Sequence, residues 1–230
     1  MNPYPARLTI FARSLQACTV LTMFLATAIA LCGPIHDAAR KGDQAKVVAL
    51  LNQTPELVFS RDKFGNTPLH LAAQHNQPGV AALLLACGAD VNARNMAKNQ
   101  SPLIASSPLI ANDGETPLGL ALLSYQHKEM LELLLTHGAD VNVMLPGWDT
   151  PLSRAIDRDL PDDVELLLAN GADPDAQHLV QVAVSHDRLK ILAILLDYGA
   201  DPNLKDWAGH TPLYYAHEKA AALLRAHGGH

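Results

Sequence analysis

Two short motifs alternate along the chain, and together they confine what it can fold into. Thr-Pro-Leu stands at Thr67, Thr116, Thr150 and Thr211, and Gly-Ala-Asp at Gly88, Gly138, Gly171 and Gly199. The stretch from Asp62 to Asn92 holds one of each and shows what they do. Thr67 is a good N-cap, and Pro68 suits the first helical position, where its missing N–H had no partner to lose. Leu69, Ala72 and Ala73 supply a short apolar face. Val80, Leu83 and Leu84, at i, i+3 and i+4, predict a second helix beginning near Val80. Gly88 ends that helix, because the residue after a helix commonly takes positive φ, which glycine adopts most cheaply. Ala89-Asp90-Val91-Asn92 then carries turn chemistry into the next unit. One such unit cannot close a core, so the recurrence predicts units stacked side by side.

The Thr67-Pro68-Leu69-His70 sequence, repeated in alternation with Gly-Ala-Asp, resembles the ankyrin repeat, a unit of about 33 residues. The resemblance spans roughly residues 35 to 230. It implies an all-α solenoid of helix-turn-helix units joined by short hairpin loops. Residues 35–61 read as a degenerate N-terminal capping repeat, in which Ile35-His36-Asp37-Ala38-Ala39 stands where Leu69 to Ala73 stands later and Gly42 marks the turn. Residues 62–93 form the first complete repeat. Thr67 and Thr116 are 49 residues apart, so residues 94–112, from Arg94 onward, read as an inserted loop. It contains a duplicated hexapeptide, Ser101 to Ser106 and Ser107 to Asn112, with Leu103, Ile104, Leu109 and Ile110 as its apolar content. A slippage product tolerated at a surface hairpin and an apolar finger beside a binding face both fit.

Residues 113–144 and 145–175 are the next two repeats. The former has Gly119 where His70 stood, and Met130, Leu133 and Leu134 as its stripe. The latter has Trp148 in the place of the hairpin glycine, which predicts a turn redirected through Gly147. Residues 176–205 form a repeat without Thr-Pro. Gly171 and Gly199 are only 28 residues apart, which predicts a trimmed hairpin. Residues 206–230 form a short C-terminal cap in which Ala220, Ala221 and Ala222 replace the turn and the two helices are expected to fuse.

The N-terminal segment, residues 1–32, is of another kind. Arg7 and Arg13 precede an uncharged apolar run from Ala17 to Cys32 that ends in small residues. This is the layout of a secretory signal, with cleavage expected after Ala28 or Ala30. An uncleaved anchor is one alternative, and lipidation of Cys32 is another, with Leu31 bulkier than a lipid box normally carries. Each predicts export, to the periplasm first, with membrane association only through an uncleaved signal or through Cys32.

Composition narrows the function. The chain carries 17 Lys and Arg against 23 Asp and Glu, and loss of the N-terminal segment would remove Arg7 and Arg13 with no acid. That balance argues against nucleic acid and anionic membrane surfaces. Cys18 and Cys32 lie in the N-terminal segment, which leaves Cys87 as a small apolar residue at a helix end. Eleven histidines contain no metal-ligand spacing, so no metal or cofactor is implied. Asp90, Asp140, Asp173 and Asp201 recur because each turn needs an Asx acceptor, and a full repeat between them excludes a catalytic carboxylate pair. No nucleophile elbow, phosphate loop or dinucleotide fingerprint is present, so the chain reads as non-catalytic.

Binding of another protein is what the resemblance then implies, through a concave groove lined by hairpin tips and first helices. Mapped by motif position, the candidate partner-binding residues are Lys63, Phe64, Asn66, Gln74 and His75, followed by Glu115, Leu123 and Ser124. Trp148, Asp149, Asp157 and Arg158 come next, then Ser185 and His186, and last Trp207, His210 and Glu218. Phe64, Trp148 and Trp207 stand out, because aromatics and arginines carry most interface energy; packing against the neighbouring hairpin is the alternative reading of the same three rings. The expectation is a monomeric envelope protein. A secreted host-directed effector, a passive cap on an envelope assembly and an enzyme with a closed pocket are the rivals. Leu134→Ala is expected to cost about 2–5 kcal/mol in a urea melt by opening a core cavity; a loss below about 0.5 kcal/mol would put this helix elsewhere.

Overall fold

In a computed structural model of the chain, residues 33–96, 114–124 and 127–230 are described. The N-terminal signal or anchor and the duplicated hexapeptide lie outside them. Among the described residues the regular structure is helical throughout. Helix α1 covers residues 33–41. It is followed by α2 (Gln44–Gln53), α3 (Pro68–Gln74), α4 (Pro78–Ala86), α5 (Pro117–Ala121), α6 (Lys128–Thr136), α7 (Pro151–Asp157), α8 (Pro161–Ala169), α9 (Leu179–Ser185), α10 (Leu189–Asp197), α11 (Pro212–Tyr215) and α12 (Glu218–Ala226). Within units, α3 packs on α4, α5 on α6, α7 on α8, α9 on α10 and α11 on α12. Between units, α3 meets α5, α4 meets α6, α7 meets α9, α8 meets α10, α9 meets α11 and α10 meets α12. Like helices therefore stack in chain order, and one continuous apolar core runs from Ile35 to Leu224. Leu69, Leu84, Met130, Leu134, Leu152, Leu167, Ile191 and Leu195 are fully buried in it.

The starts of the first helices follow from the threonines. Thr67, Thr116 and Thr150 each accept a hydrogen bond from the backbone N–H three residues on, with proline at the first helical position. Gly88, Gly138, Gly171 and Gly199 all have positive φ behind the second helices, as their place in the motif requires. The following Asp90, Asp140, Asp173 and Asp201 accept from the N–H two residues on, at 2.8–3.0 Å.

That N–H belongs to a residue whose side chain ties one unit to the next. Asn92 donates to Gly138 O at 3.1 Å and accepts from Asp140 N at 2.8 Å. Asn142 does the same toward Gly171 and Asp173, and Asn203 toward Gly228 and His230. The series is interrupted at Asp175, which accepts from Asp201 N at 2.8 Å but has no N–H to offer Gly199. A second set of bridges runs from the first helices. His36 Nε2 reaches Asn66 O at 2.9 Å, and His70 Nε2 reaches Glu115 O at 3.0 Å. His70 Nδ1 accepts from Thr67 N at 3.2 Å, so its Nε2–H is the donor to Glu115.

Four expectations are corrected here. The C-terminal helices do not fuse: Ala216 is extended between α11 and α12, and Ala220 to Ala222 lie inside α12. Alanine is the best helix former, and Ala220 and Ala221 are small enough to be buried against the unit before. The hairpin at Trp148 is not redirected through Gly147 alone, since Gly147 and Trp148 both take positive φ, at 86° and 67°. Cys87 caps α4 but is exposed, not packed. At the fourth unit a single 3-10 turn, Ala176–His178, replaces the hairpin, with Gln177 and His178 both left-handed. Arg94 and Asn95, read from the sequence as the start of the insertion, are tied into the hairpin stem. Asn95 N donates to Glu115 O at 3.0 Å, and Glu115 N donates to Asn95 Oδ1 at 2.8 Å. The two ends of the insertion therefore lie side by side, where added length costs little closure entropy.

Two predictions follow from these bonds. Asp175→Asn restores the missing donor to Gly199 and is expected to stabilise by about 0.5–1.5 kcal/mol in urea; no gain would mean that this carbonyl is already satisfied by water. Burial, partly opposed by the bond to Glu115 O, lowers the His70 pKa from 6.5 to about 4. A depressed histidine pKa means the unfolded chain takes up the proton first, so stability is lost as pH falls from 6.5 toward 4, by about 3 kcal/mol in total. Urea melts across that window are expected to show this slope in the native chain, and His70→Gln is expected to flatten it.

Candidate binding groove

Among the described residues three hairpin tips and one trimmed turn project from the stack, and the first and last tips are built alike. The first is closed by Asp62, whose N–H donates to Asn66 O and whose Oδ1 accepts from Phe64 N and Asn66 N at 2.8–2.9 Å. The last repeats this at Asp206, whose Oδ1 accepts from Ala208 N and His210 N at 2.9 Å. The third-unit tip has Leu145 in place of that aspartate and keeps only the backbone bond from Leu145 N to Asp149 O, at 2.7 Å. The fourth is the trimmed turn.

These turns hold aromatic side chains out in solvent. Phe64 is 58% exposed, Trp148 83% and Trp207 96%. Trp148 is the unusual one, because its φ of 67° falls where Gly65 and Gly209 stand in the other tips. A non-glycine residue there costs about 1–2 kcal/mol, and the ring gains almost no burial in return. Gln177 of the trimmed turn donates to Trp148 O, and the His178 ring meets Trp207 edge-on at 5.7 Å. His210 stacks on Tyr214 at 3.9 Å and contacts the Tyr215 hydroxyl at 3.1 Å. Tyr215 in turn donates to Asp206 at 2.6 Å, which keeps the Asp206 carboxyl below its usual range.

The remaining candidates separate by exposure. Lys63, Gln74, His75, Leu123, Asp157, Ser185 and His186 are exposed, and Asp149 and Ser124 are half-buried. The Ser124 hydroxyl donates to Gln74 O at 2.6 Å. Three candidates are structural instead. Asn66 is only 8% exposed and is bonded to Asp62 and Asn95. Glu115 turns inward to Arg154 at 2.9 Å, and Arg158 donates to Leu122 O. Glu218 opens α12, a second helix, and so stands off the first-helix face.

Arg154 itself escaped the sequence reading. It is buried, bonds Glu115 and Gly119 O, and lies 3.5 Å from Asp149. The signal was there: four residues after the cap the other Thr-Pro copies carry Leu71, Leu120 and Tyr215, and a lone arginine in an apolar register marks a buried partner. Gly119 also acquires a reason. A Cβ on it would meet Glu115 Oε2 at 2.7 Å and Leu145 Cδ2 at 2.8 Å, so a histidine like His70 has no room.

Away from the tips, His127, Lys128, Leu160, Pro161, Asp162, Asp163 and Lys190 line a recess of about 350 Å3. It holds a histidine–aspartate pair, His127 Nε2 to Asp163 Oδ2 at 2.6 Å, while His127 Nδ1 faces Ser124 O at 2.8 Å. Acceptors on both nitrogens favour the imidazolium, and the bond to Asp163 is the main cause of a raised pKa. Its stabilisation is present below 6.5 and fades as pH rises through the raised value, opposite in sign to His70. With both nitrogens committed and no hydroxyl or thiol in the lining, this pair has no proton to take from a nucleophile. Among the described residues, no three His, Cys, Asp or Glu side chains are grouped to hold a metal ion, and no helix is long and apolar enough to cross a membrane.

A stack of helical hairpins whose exposed turns carry Phe64, Trp148 and Trp207 has the architecture of a repeat scaffold. Comparison with known proteins makes the assignment specific. The ankyrin repeat family model matches residues 64–96, and the three-copy ankyrin model matches 101–178 and 152–229. The chain belongs to the ankyrin repeat family, whose members are in general protein interaction modules. It is 29% identical over 165 residues to putative ankyrin repeat protein L371 of Acanthamoeba polyphaga mimivirus, covering 69% of this chain and 19% of that protein. It is 28% identical over 187 residues to the B-cell lymphoma 3 protein homolog of Mus musculus, covering 77% and 37%. The chain thus spans well under half of either relative. The crystal structure of an ankyrin repeat domain from Acinetobacter baumannii AYE superposes with a TM-score of 0.70 at 27% identity, covering 86% of this chain and 98% of that one.

Proposed function

We propose that this protein is an exported, non-catalytic adaptor that holds one partner protein in the groove between its hairpin tips and first helices. The observation that carries this reading is the set of solvent-facing aromatics, Phe64, Trp148 and Trp207, on tips fixed by hydrogen bonds. Rigid, exposed aromatics lose little entropy on binding and are the residue type that dominates interface energy. The N-terminal layout of two arginines, an apolar run and small residues supports export to the periplasm. The monomeric state and the periplasmic address belong to the same proposal.

Phe64→Ala and Trp207→Ala are expected to leave the thermal midpoint within a few degrees of the parent, since neither ring is part of the core. Each is expected to weaken capture of the partner from a periplasmic extract by about tenfold or more, the cost of losing a hot-spot side chain. Undiminished capture by both variants would rule the groove out.

A further inference from the structure

One joint of the stack is built on a shortened helix. Helix α5 has five residues where α3 and α7 have seven, and the chain from Thr116 to Gly138 is one position longer than from Thr67 to Gly88 or from Thr150 to Gly171. With less of α5 to pack on, α5 and α7, and α6 and α8, approach less closely than the like pairs on either side. Carbonyls released past the end of α5 are taken up by polar side chains. Arg158 donates to Leu122 O and stands 3.5 Å from Ser124 O, and His127 Nδ1 meets Ser124 O at 2.8 Å. In the first-helix layer Arg154 spans the joint to Glu115 and Gly119 O, and at the turn edge Asn142 spans it to Gly171 O at 3.0 Å. Where α6 and α8 begin, a recess of about 350 Å3 stands between them, beside the bridge from His127 Nε2 to Asp163 Oδ2 at 2.6 Å.

Of these links only the histidine bridge carries a group that titrates near neutrality. The side chains of His127 and Asp163 are 7% and 11% exposed, and both ring nitrogens face acceptors. An imidazolium donates from both; a neutral ring has one N–H. Loss of the proton therefore sets a lone pair against either Ser124 O or the Asp163 carboxylate, at a place that water scarcely reaches. The charged groups about the ring are Lys128 on α6, Arg158 at the end of α7, Asp162 and Asp163 on α8 and Lys190 on α10. Asp162 is paired with Lys190 at 3.1 Å, and Arg158 opposes a charge on the ring, so Asp163 is the group that holds the proton there. We infer that the junction of the 113–144 and 145–175 units is a hinge within the stack, and that the His127–Asp163 bridge is its latch, closed while the imidazole carries its proton and released when the proton leaves. Arg154 and Asn142 keep the units joined on their own sides, so the bend opens at the recess. Bending there changes the spacing between the Phe64 tip and the tips of Trp148 and Trp207, whatever the partner is. The direction follows from linkage: closure is favoured below pH 6.5 and is lost as pH rises through the raised value of His127. His227 offers a comparison within the chain. Its Nδ1 faces Leu223 O at 3.0 Å and its Nε2 faces Asp197 at 3.3 Å, but that pair is 33% and 69% exposed and joins helices α10 and α12, which pack closely. Solvent screening leaves such a pair little hold on its joint.

The test is hydrogen exchange of the full chain followed by mass spectrometry, with protection corrected for the intrinsic rate at each pH. From about pH 6 to about pH 9, the amides of α6 and α8 are expected to lose about threefold or more of their protection relative to those of α3 and α4. Helices α10 and α12 are expected to follow α3 and α4. The midpoint of the loss is expected to coincide with the titration of the His127 ring followed by NMR. Asp163→Asn, which keeps the shape and removes the charge, and His127→Gln, which cannot titrate, are each expected to abolish the pH-dependent loss while the helical circular dichroism is retained. A loss that persists in both variants overturns the latch, as does one shared equally by every helix. No loss in the parent chain overturns the hinge. Should either variant fail to fold, the parent chain decides alone, since a midpoint that departs from the His127 titration also overturns the latch.

Discussion

No helix described here has the length to persist alone. The longest of the helices from α2 onward has 10 residues, and α11 has four, whereas isolated helices below about 12–15 residues are marginal in water. Each is held because its neighbour in the next unit covers its apolar face. The stack is therefore the condition for the secondary structure and not its product. Side chains that reach into the adjacent unit reinforce it: Asn92, Asn142 and Asn203 on one edge, His36 and His70 under the tips. The histidines satisfy main-chain carbonyls that stacking would otherwise bury without a partner, and the asparagines tie together turns at the exposed edge.

The joint between the second and third complete units is made differently from the rest. Helices α5 and α7, and α6 and α8, approach less closely than the equivalent pairs on either side. Polar side chains span the distance instead: Arg154 to Glu115 and Gly119, Arg158 to Leu122, and His127 to Asp163. Partly buried ion pairs of this kind add little net stability but are costly to break singly, so they fix the register of the two units. Gly119 belongs to the same arrangement, since its missing side chain is the space in which Leu145 and Glu115 lie.

Stability and recognition share one charge economy. Arginine is the residue best suited to bonding carbonyls at a partly buried joint, and this chain uses it there repeatedly. Glu115 and Asp149 are drawn to the same joint by Arg154. His70 and His127, with pKa values moved in opposite directions by burial and by a carboxylate, show the same sequence letter given two roles by its surroundings.

The repeat units, the caps at Thr67, Thr116 and Thr150, the glycines behind the second helices and the Asx turns were all legible in the sequence, because each depends on chemistry within a few residues. The sequence left Phe64, Trp148 and Trp207 open between exposure and packing on the next hairpin, because they stand at three different positions of the turn, and the structure leaves all three exposed. Glu115 and Arg158 were misread as free, and Arg154 was passed over, because their partners lie 36 to 39 residues away across a joint whose spacing no local pattern encodes; Asn66 is held both by Asp62 in its own turn and by Asn95, 29 residues on. The separation of α11 from α12 was hidden for a related reason: three consecutive alanines favour a helix but do not say which helix they join. Local backbone chemistry thus determined the units and their order, while long-range packing alone decided which polar side chains were consumed in joining them and which remained for a partner.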